Sequence, residues 1–120
     1  MTTIVNVKKQ YLVKNGYKDF DDWVSKPNHV YIGRNMSFYV DGAKASKWAN
    51  PFPVKKFGRD ECLKLYKDYI LTNTKLKSEL VELEGKELGC WCKTDPTKIE
   101  CHGDILVELI KDKNKNANVK

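Results

Sequence analysis

Leu88-Gly89-Cys90-Trp91-Cys92, a polar loop through Asp95-Pro96, and then Cys101-His102-Gly103-Asp104: this stretch decides how the chain is read. A short apolar run after a glycine reads as a strand over Leu88 to Trp91. Ile105, Leu106, Leu109 and Ile110 recur at helical spacing, so a helix starts near Gly103 or Asp104. Between Gly89 and Asp104 the chain therefore brings together a strand end, a helix start, three of its four cysteines and one of its two histidines.

Upstream, the spacing predicts a helix from about Arg59 to Leu71. Cys62, Tyr66, Tyr69 and Ile70 lie on one face, with Leu63 and Leu65 on its flanks. Asn73 or Thr74 can cap a second helix carrying Leu76, Leu80 and Leu83, which Gly85 ends. Ala43 to Phe57 contains two prolines and shows no period, so it reads as loop. Val30-Tyr31-Ile32 reads as a strand ended by Gly33-Arg34, and Phe38-Tyr39-Val40 as another, closed by Asp41-Gly42. Thr3 to Val7 is a first strand. In the mixed stretch from Tyr11 to Asn28, Asp19 can cap a short helix through Trp23 and Val24.

Strands separated by helical segments predict an α/β fold: a small, open, mainly parallel sheet with right-handed crossover helices. The expected organisation is a single domain over residues 1–112 and a flexible basic tail over 113–120. In such sheets ligands bind beyond the carboxyl ends of the strands. Here those ends carry Gly33-Arg34-Asn35 and Cys90-Trp91-Cys92, with the start of the last helix facing the same edge.

The 41% hydrophobic and 32% charged content of these 120 residues is that of a globular chain able to build a core. No run of about 18 apolar residues is present, so no membrane partner is expected. Met1 to Gln10 lacks the apolar core of a signal peptide, which predicts an intracellular protein. Four cysteines there are expected as thiols or ligands rather than disulfides. The net charge of +6 is concentrated. Lys44, Lys47, Lys55, Lys56 and Arg59 occur between Gly42 and Arg59 without an acid, and Lys111 to Lys120 holds four lysines and one aspartate. Basic patches on a near-neutral body favour an anionic partner.

Several constellations carry chemistry, each with a plainer reading beside it. Cys90, Cys92, Cys101 and His102 are the right ligand types for zinc, but Cys-x-Cys followed by an adjacent Cys-His is not the usual spacing. The reading therefore assigns no metal, names these four as the ligands if one is present, and leaves zinc open as a cofactor. Their other reading is buried thiols at a strand end. Cys101, before a helix N-terminus and beside His102 and Asp104, is a candidate nucleophile in a catalytic trio. The same residues also serve simply to cap a helix. In the basic loop, lysines interleave with Trp48, Phe52 and Phe57, which suits charge contact and stacking with a nucleotide-like ligand. The alternative is a solvated loop anchored by its aromatics. Arg34 suits bidentate recognition of phosphate or carboxylate, or a structural salt bridge. The candidate ligand-binding set is Arg34, Asn35, Lys47, Trp48, Asn50, Cys90 and Cys92. Cys62 reads as core.

Taken in order, Val5-Asn6-Val7, Tyr31-Ile32-Gly33-Arg34, Ser46-Lys47-Trp48-Ala49-Asn50-Pro51-Phe52, Leu88-Gly89-Cys90-Trp91-Cys92 and Cys101-His102-Gly103-Asp104 resemble an uncharacterised domain family found in bacteria, phages and large DNA viruses. The resemblance spans roughly residues 4 to 110. It implies a shared site built from these motifs and brings no reaction with it. Ala49 stands where the family often has glycine, and Tyr11 to Asn28 reads as an insertion. The Lys/Asn-rich composition suits a large DNA virus.

The leading functional expectation is a small basic domain that binds an anionic ligand, a nucleotide or nucleic acid, in a viral setting as a genome- or virion-associated protein. A Cys- or metal-dependent enzyme acting on a nucleotide-like substrate is the first alternative. A structural or interaction protein is the second.

Overall fold

The computed structural model describes residues 2–91 and 101–118. The elements in order are β1 (Thr3–Asn6), α1 (Lys9–Lys14), α2 (Phe20–Val24), β2 (His29–Tyr31), α3 (Val54–Phe57), α4 (Arg59–Thr72), α5 (Thr74–Glu79), β3 (Glu87–Cys90) and α6 (His102–Asn118). A 3₁₀ turn, Leu80–Leu83, follows α5. The strands form a three-stranded sheet in the order β1-β3-β2, with both pairings parallel. This is the small open parallel α/β sheet expected from the sequence. Glu87 of β3 registers with Thr3 on one side and His29 on the other.

Residues of β3 alternate between two apolar layers, which is why the strand reads as an unbroken apolar run. Leu88 and Cys90 face the larger layer, with Ile32, Tyr66, Ile70, Leu106 and Leu109. On the opposite face, Val7, Leu12, Phe20, Trp23 and Tyr31 form the second layer, which α1 and α2 supply. A Cβ built on Gly89 would run into the Trp23 indole and Val7 on that side.

The caps follow local chemistry. The Asp19 side chain accepts from the Asp22 N–H at the start of α2, and Asn73 accepts from the Leu76 N–H at the start of α5. Gly85 takes φ +77 beyond the 3₁₀ turn, a conformation that favours glycine.

Three expectations change. Phe38-Tyr39-Val40 is not a strand but part of a turn, closed by Tyr39 and Val40 N–H bonds to the Met36 carbonyl. Phe38 and Tyr39 are 91% and 79% exposed, so strand-favouring side chains have neither a pairing partner nor a core to fill. The loop from Ala43 contains a short helix, α3, after Pro53, whose φ of −67 suits a helix start. Residues Lys9–Lys14 form a helix hidden by their mixed composition. The last helix, α6, extends to Asn118.

Because the indole of Trp23 is fully buried, it cannot give way to a side chain on β3. Gly89→Ala is expected to destabilise the fold by roughly 1–3 kcal/mol through overpacking, read as a lower urea midpoint with an unchanged slope.

Candidate functional site: a cation-rimmed cleft at the carboxyl edge of the sheet

Beyond the carboxyl ends of β2 and β3 lies a cleft of about 430 Å³. Gly33 and Arg34 follow β2, Cys90 and Trp91 end β3, and His102 opens α6 on its wall. The opposite wall is Asn50 and Phe52 to Lys55, with Arg59, Cys62 and Leu63 of α4. Three cations, Arg34, Lys55 and Arg59, line it, and among the described residues no carboxylate does. Such a cleft concentrates positive potential next to low-dielectric walls.

Tyr31 explains the Tyr-Ile-Gly-Arg motif. Its hydroxyl donates to the Arg34 carbonyl at 2.5 Å and accepts from the Trp91 indole N–H at 2.6 Å. Its ring lies over Gly33, where any Cβ would collide with it. Burial pushes the Tyr31 phenol above its ordinary value, with the Trp91 hydrogen bond opposing, so the hydroxyl keeps its proton at neutral pH. One phenol thereby fixes two cleft residues from either side.

In the Ser-Lys-Trp-Ala-Asn-Pro-Phe loop, the Ser46 side chain accepts from the Trp48 N–H at 3.0 Å, and the Ser46 N–H donates to the Gly33 carbonyl at 3.1 Å. The Asn50 Oδ1 accepts from the Phe52 N–H at 2.9 Å, while its Nδ2 donates to the Cys62 sulfur at 3.0 Å. Cys62 in turn donates to the Phe52 carbonyl at 2.9 Å. No described non-glycine residue has positive φ, so the loop makes no demand for glycine at Ala49.

The Cys-His-Gly-Asp motif starts α6. The Cys101 N–H donates to Asp104 Oδ2 at 3.1 Å, a capping contact. A Cβ on Gly103 would press on Ile32 at 2.8 Å, so glycine lets the helix start approach the sheet. His102 Nε2 lies 2.7 Å from the Ile32 carbonyl, which can only accept. The ring therefore carries its hydrogen on Nε2, and Nδ1 lies 3.8 Å from the Cys101 sulfur. The Tyr66 ring packs edge-on to His102 at 5.1 Å. Burial, with a smaller contribution from Cys101, pushes the Tyr66 phenol far up, so it remains a donor to the Trp48 carbonyl at 2.6 Å.

The structure gathers Arg34, Asn50, Cys90 and His102 on one cleft. It disposes of the other candidates differently. Trp48 is 2% exposed in the core and offers no stacking face to a ligand. Its indole is amphipathic enough for either role, and the cluster around Tyr66 and Leu83 claims it. Lys47 bonds Glu79 at 2.6 Å and Glu82 at 2.8 Å and lies over the Trp48 ring, so its charge is spent within the protein. Asn35 accepts from the Ser37 N–H and hydroxyl in a turn and is not on the cleft wall. Cys101 is buried with its sulfur 2.8 Å from that of Cys90, and it is Cys90 that faces the cleft. Asp104 caps α6. Cys92 lies outside the described residues.

Lys55 and Phe52 come to the cleft from the basic-loop constellation and Trp91 from the strand end, whereas Arg59 is a cleft residue that no motif singled out. Arg59 was visible only as one charge in a basic run, and nothing in its spacing places it opposite Arg34. Cys62, read as core, also reaches the cleft wall. Among the described residues, no group of three potential ligands is arranged to hold a metal ion. With Nε2 bonded to the Ile32 carbonyl, it is Nδ1 of His102 that lies on the side of the Cys101 sulfur.

Fold and site together define a small α/β domain with a cation-rimmed cleft at the carboxyl edge of a parallel sheet. The chain belongs to the family described as "Domain of unknown function (DUF4326)", which matches residues 16–112. It is 40% identical over 88 residues to "Uncharacterized protein R718" of Acanthamoeba polyphaga mimivirus, a match that covers 68% of this chain and 66% of that relative. The chain thus spans just under two thirds of the relative's length. No solved structure matches. The family resemblance read from the motifs is therefore established, with a large DNA virus among its members. Residues 16–28, read as part of an insertion, fall inside the matched region and contribute Phe20 and Trp23 to the core. No described helix is long and apolar enough to cross a membrane.

The Lys47 clamp gives a pH signature. Hydrogen bonding from Lys47 holds the Glu79 carboxyl below its ordinary value of 4.5. A lowered carboxyl stabilises the fold above that value and loses its contribution as pH falls through the folded-state pKa. Lys47→Met should therefore be less stable than the parent at pH 7, with the difference in urea midpoints shrinking as the pH is taken down below 4.5 and through the lowered value of Glu79.

Proposed function

We propose that this domain binds a small phosphate-bearing ligand, a nucleotide or a single-stranded nucleic-acid segment, in the cleft between β2, β3 and α4. The observation that supports this reading is the convergence of Arg34, Lys55 and Arg59 on a concave site that no described carboxylate lines. Guanidinium groups suit phosphate through paired hydrogen bonds, and Lys55 adds a point charge. Phe52 and Trp91 supply aromatic surface on the wall, the part first expected of Trp48. A volume of about 430 Å³ suits a mononucleotide or an extruded base better than a duplex. A viral setting, as a genome- or virion-associated protein, belongs to the same proposal and draws on the mimivirus relative.

The test is calorimetric titration with nucleoside mono- and triphosphates and with a short single-stranded oligonucleotide. Affinity is expected to fall with salt between about 50 and 200 mM. Arg34→Ala and Arg59→Ala should each weaken binding roughly tenfold, while Lys64→Ala on the exposed side of α4 should not. Absence of binding by every probe at low salt, or equal binding by the arginine variants, would overturn the reading.

A further inference from the structure

We propose that Cys90 and Cys101 form a peroxide-responsive dithiol pair that closes to a disulfide, with Cys90 as the sulfur oxidised from the cleft and Cys101 as its resolving partner. This inference does not depend on the identity of the cleft's ligand.

Both residues are 1% exposed, yet they differ in access. Cys90 lies on the cleft wall beside Arg34 and His102, whereas Cys101 stands behind it at the start of α6. Their sulfurs are 2.8 Å apart as thiols. An S–S bond of about 2.05 Å therefore needs less than about one ångström of approach. The Gly103 N–H donates to the Cys101 sulfur at 3.4 Å and holds the second sulfur in place. Cys62 is also on the cleft wall, but its thiol donates to the Phe52 carbonyl and accepts from Asn50, which makes it the internal comparison.

The chemistry needs one molecule of a hydroperoxide, the oxidant. The Cys90 sulfur attacks one peroxide oxygen, an S–O bond forms, and the O–O bond breaks. With hydrogen peroxide, the departing hydroxide leaves as water with the Cys90 thiol proton. The Cys101 sulfur then attacks the Cys90 sulfur, the S–S bond forms, and the S–O bond breaks. A second water carries off the oxygen and the Cys101 proton. Two thiols are oxidised by two electrons, and one peroxide becomes two waters. The product staples the carboxyl end of the central strand to the start of α6.

The experiment treats the full reduced chain with one equivalent of hydrogen peroxide in the presence of a chelator and maps thiols by peptide mass spectrometry. The expected result is a Cys90–Cys101 cross-linked peptide with Cys62 still reduced. In Cys101→Ser, dimedone should trap a sulfenic acid at Cys90, while in Cys90→Ser residue Cys101 should stay reduced. The cross-link in the parent protein is decisive even if a variant fails to fold. Cross-linking of Cys92 to either residue in place of this pair, oxidation of Cys62 first, or reduced Cys90 and Cys101 after excess peroxide would each overturn the proposal. Loss of nucleotide binding with the cross-link intact would bear on the cleft reading alone.

Discussion

A missing side chain at Gly89 lets the outer edge of the Trp23 indole close on the middle of the central strand, and the two-sided core is built around that contact. Every strand pairing runs through β3, so displacing it would disturb both edges at once. With β3 seated, Leu88 and Cys90 are committed to the layer of α4 and α6, and the chain emerging at Trp91 is aimed at the cleft. Strand alternation thus does more than fill a core. It sends Cys90 to one face while Tyr31, one strand away, faces the other and still reaches across the edge to hold Arg34 and Trp91.

The motifs that looked most like chemistry act largely as architecture. Tyr-Ile-Gly-Arg is a ring folded over a glycine to pin the next backbone carbonyl. Ser-Lys-Trp-Ala-Asn-Pro-Phe is a plug, with Trp48 in the core and Lys47 clamped to Glu79 and Glu82 outside it. Cys-His-Gly-Asp is a helix start tied to Ile32 and closed by Asp104. Beside these devices lies a cleft whose lining cations are Arg34, Lys55 and Arg59.

The fold was legible because its signals are periodic and local. Tyr66 and Ile70, and Leu106 and Ile110, recur at i, i+4, and the Leu88–Trp91 run is short, apolar and follows the Gly85 turn. That the chain after β2, the end of β3 and the start of the last helix share an edge was legible too, because parallel topology sends strand ends to a common side. Other features were not. Whether an indole stacks on ligand or on core depends on long-range packing, and Trp48 carries no local mark of either. The partners of Lys47 are more than thirty residues away. Phe38-Tyr39-Val40 has the composition of a strand, and only the absence of a neighbour makes it a turn. Arg59 reaches the cleft by the placement of α4, which no single-residue argument supplies.

Thr3 and His29 both register with Glu87, so the sheet joins segments that are far apart in the chain and closes last at its centre. During synthesis the first two strands leave the ribosome with no partner and stay unpaired until the third has been made. Such long-range closure makes assembly slow and cooperative rather than stepwise. Their brevity, four and three residues, offers little edge for other chains to join during that wait.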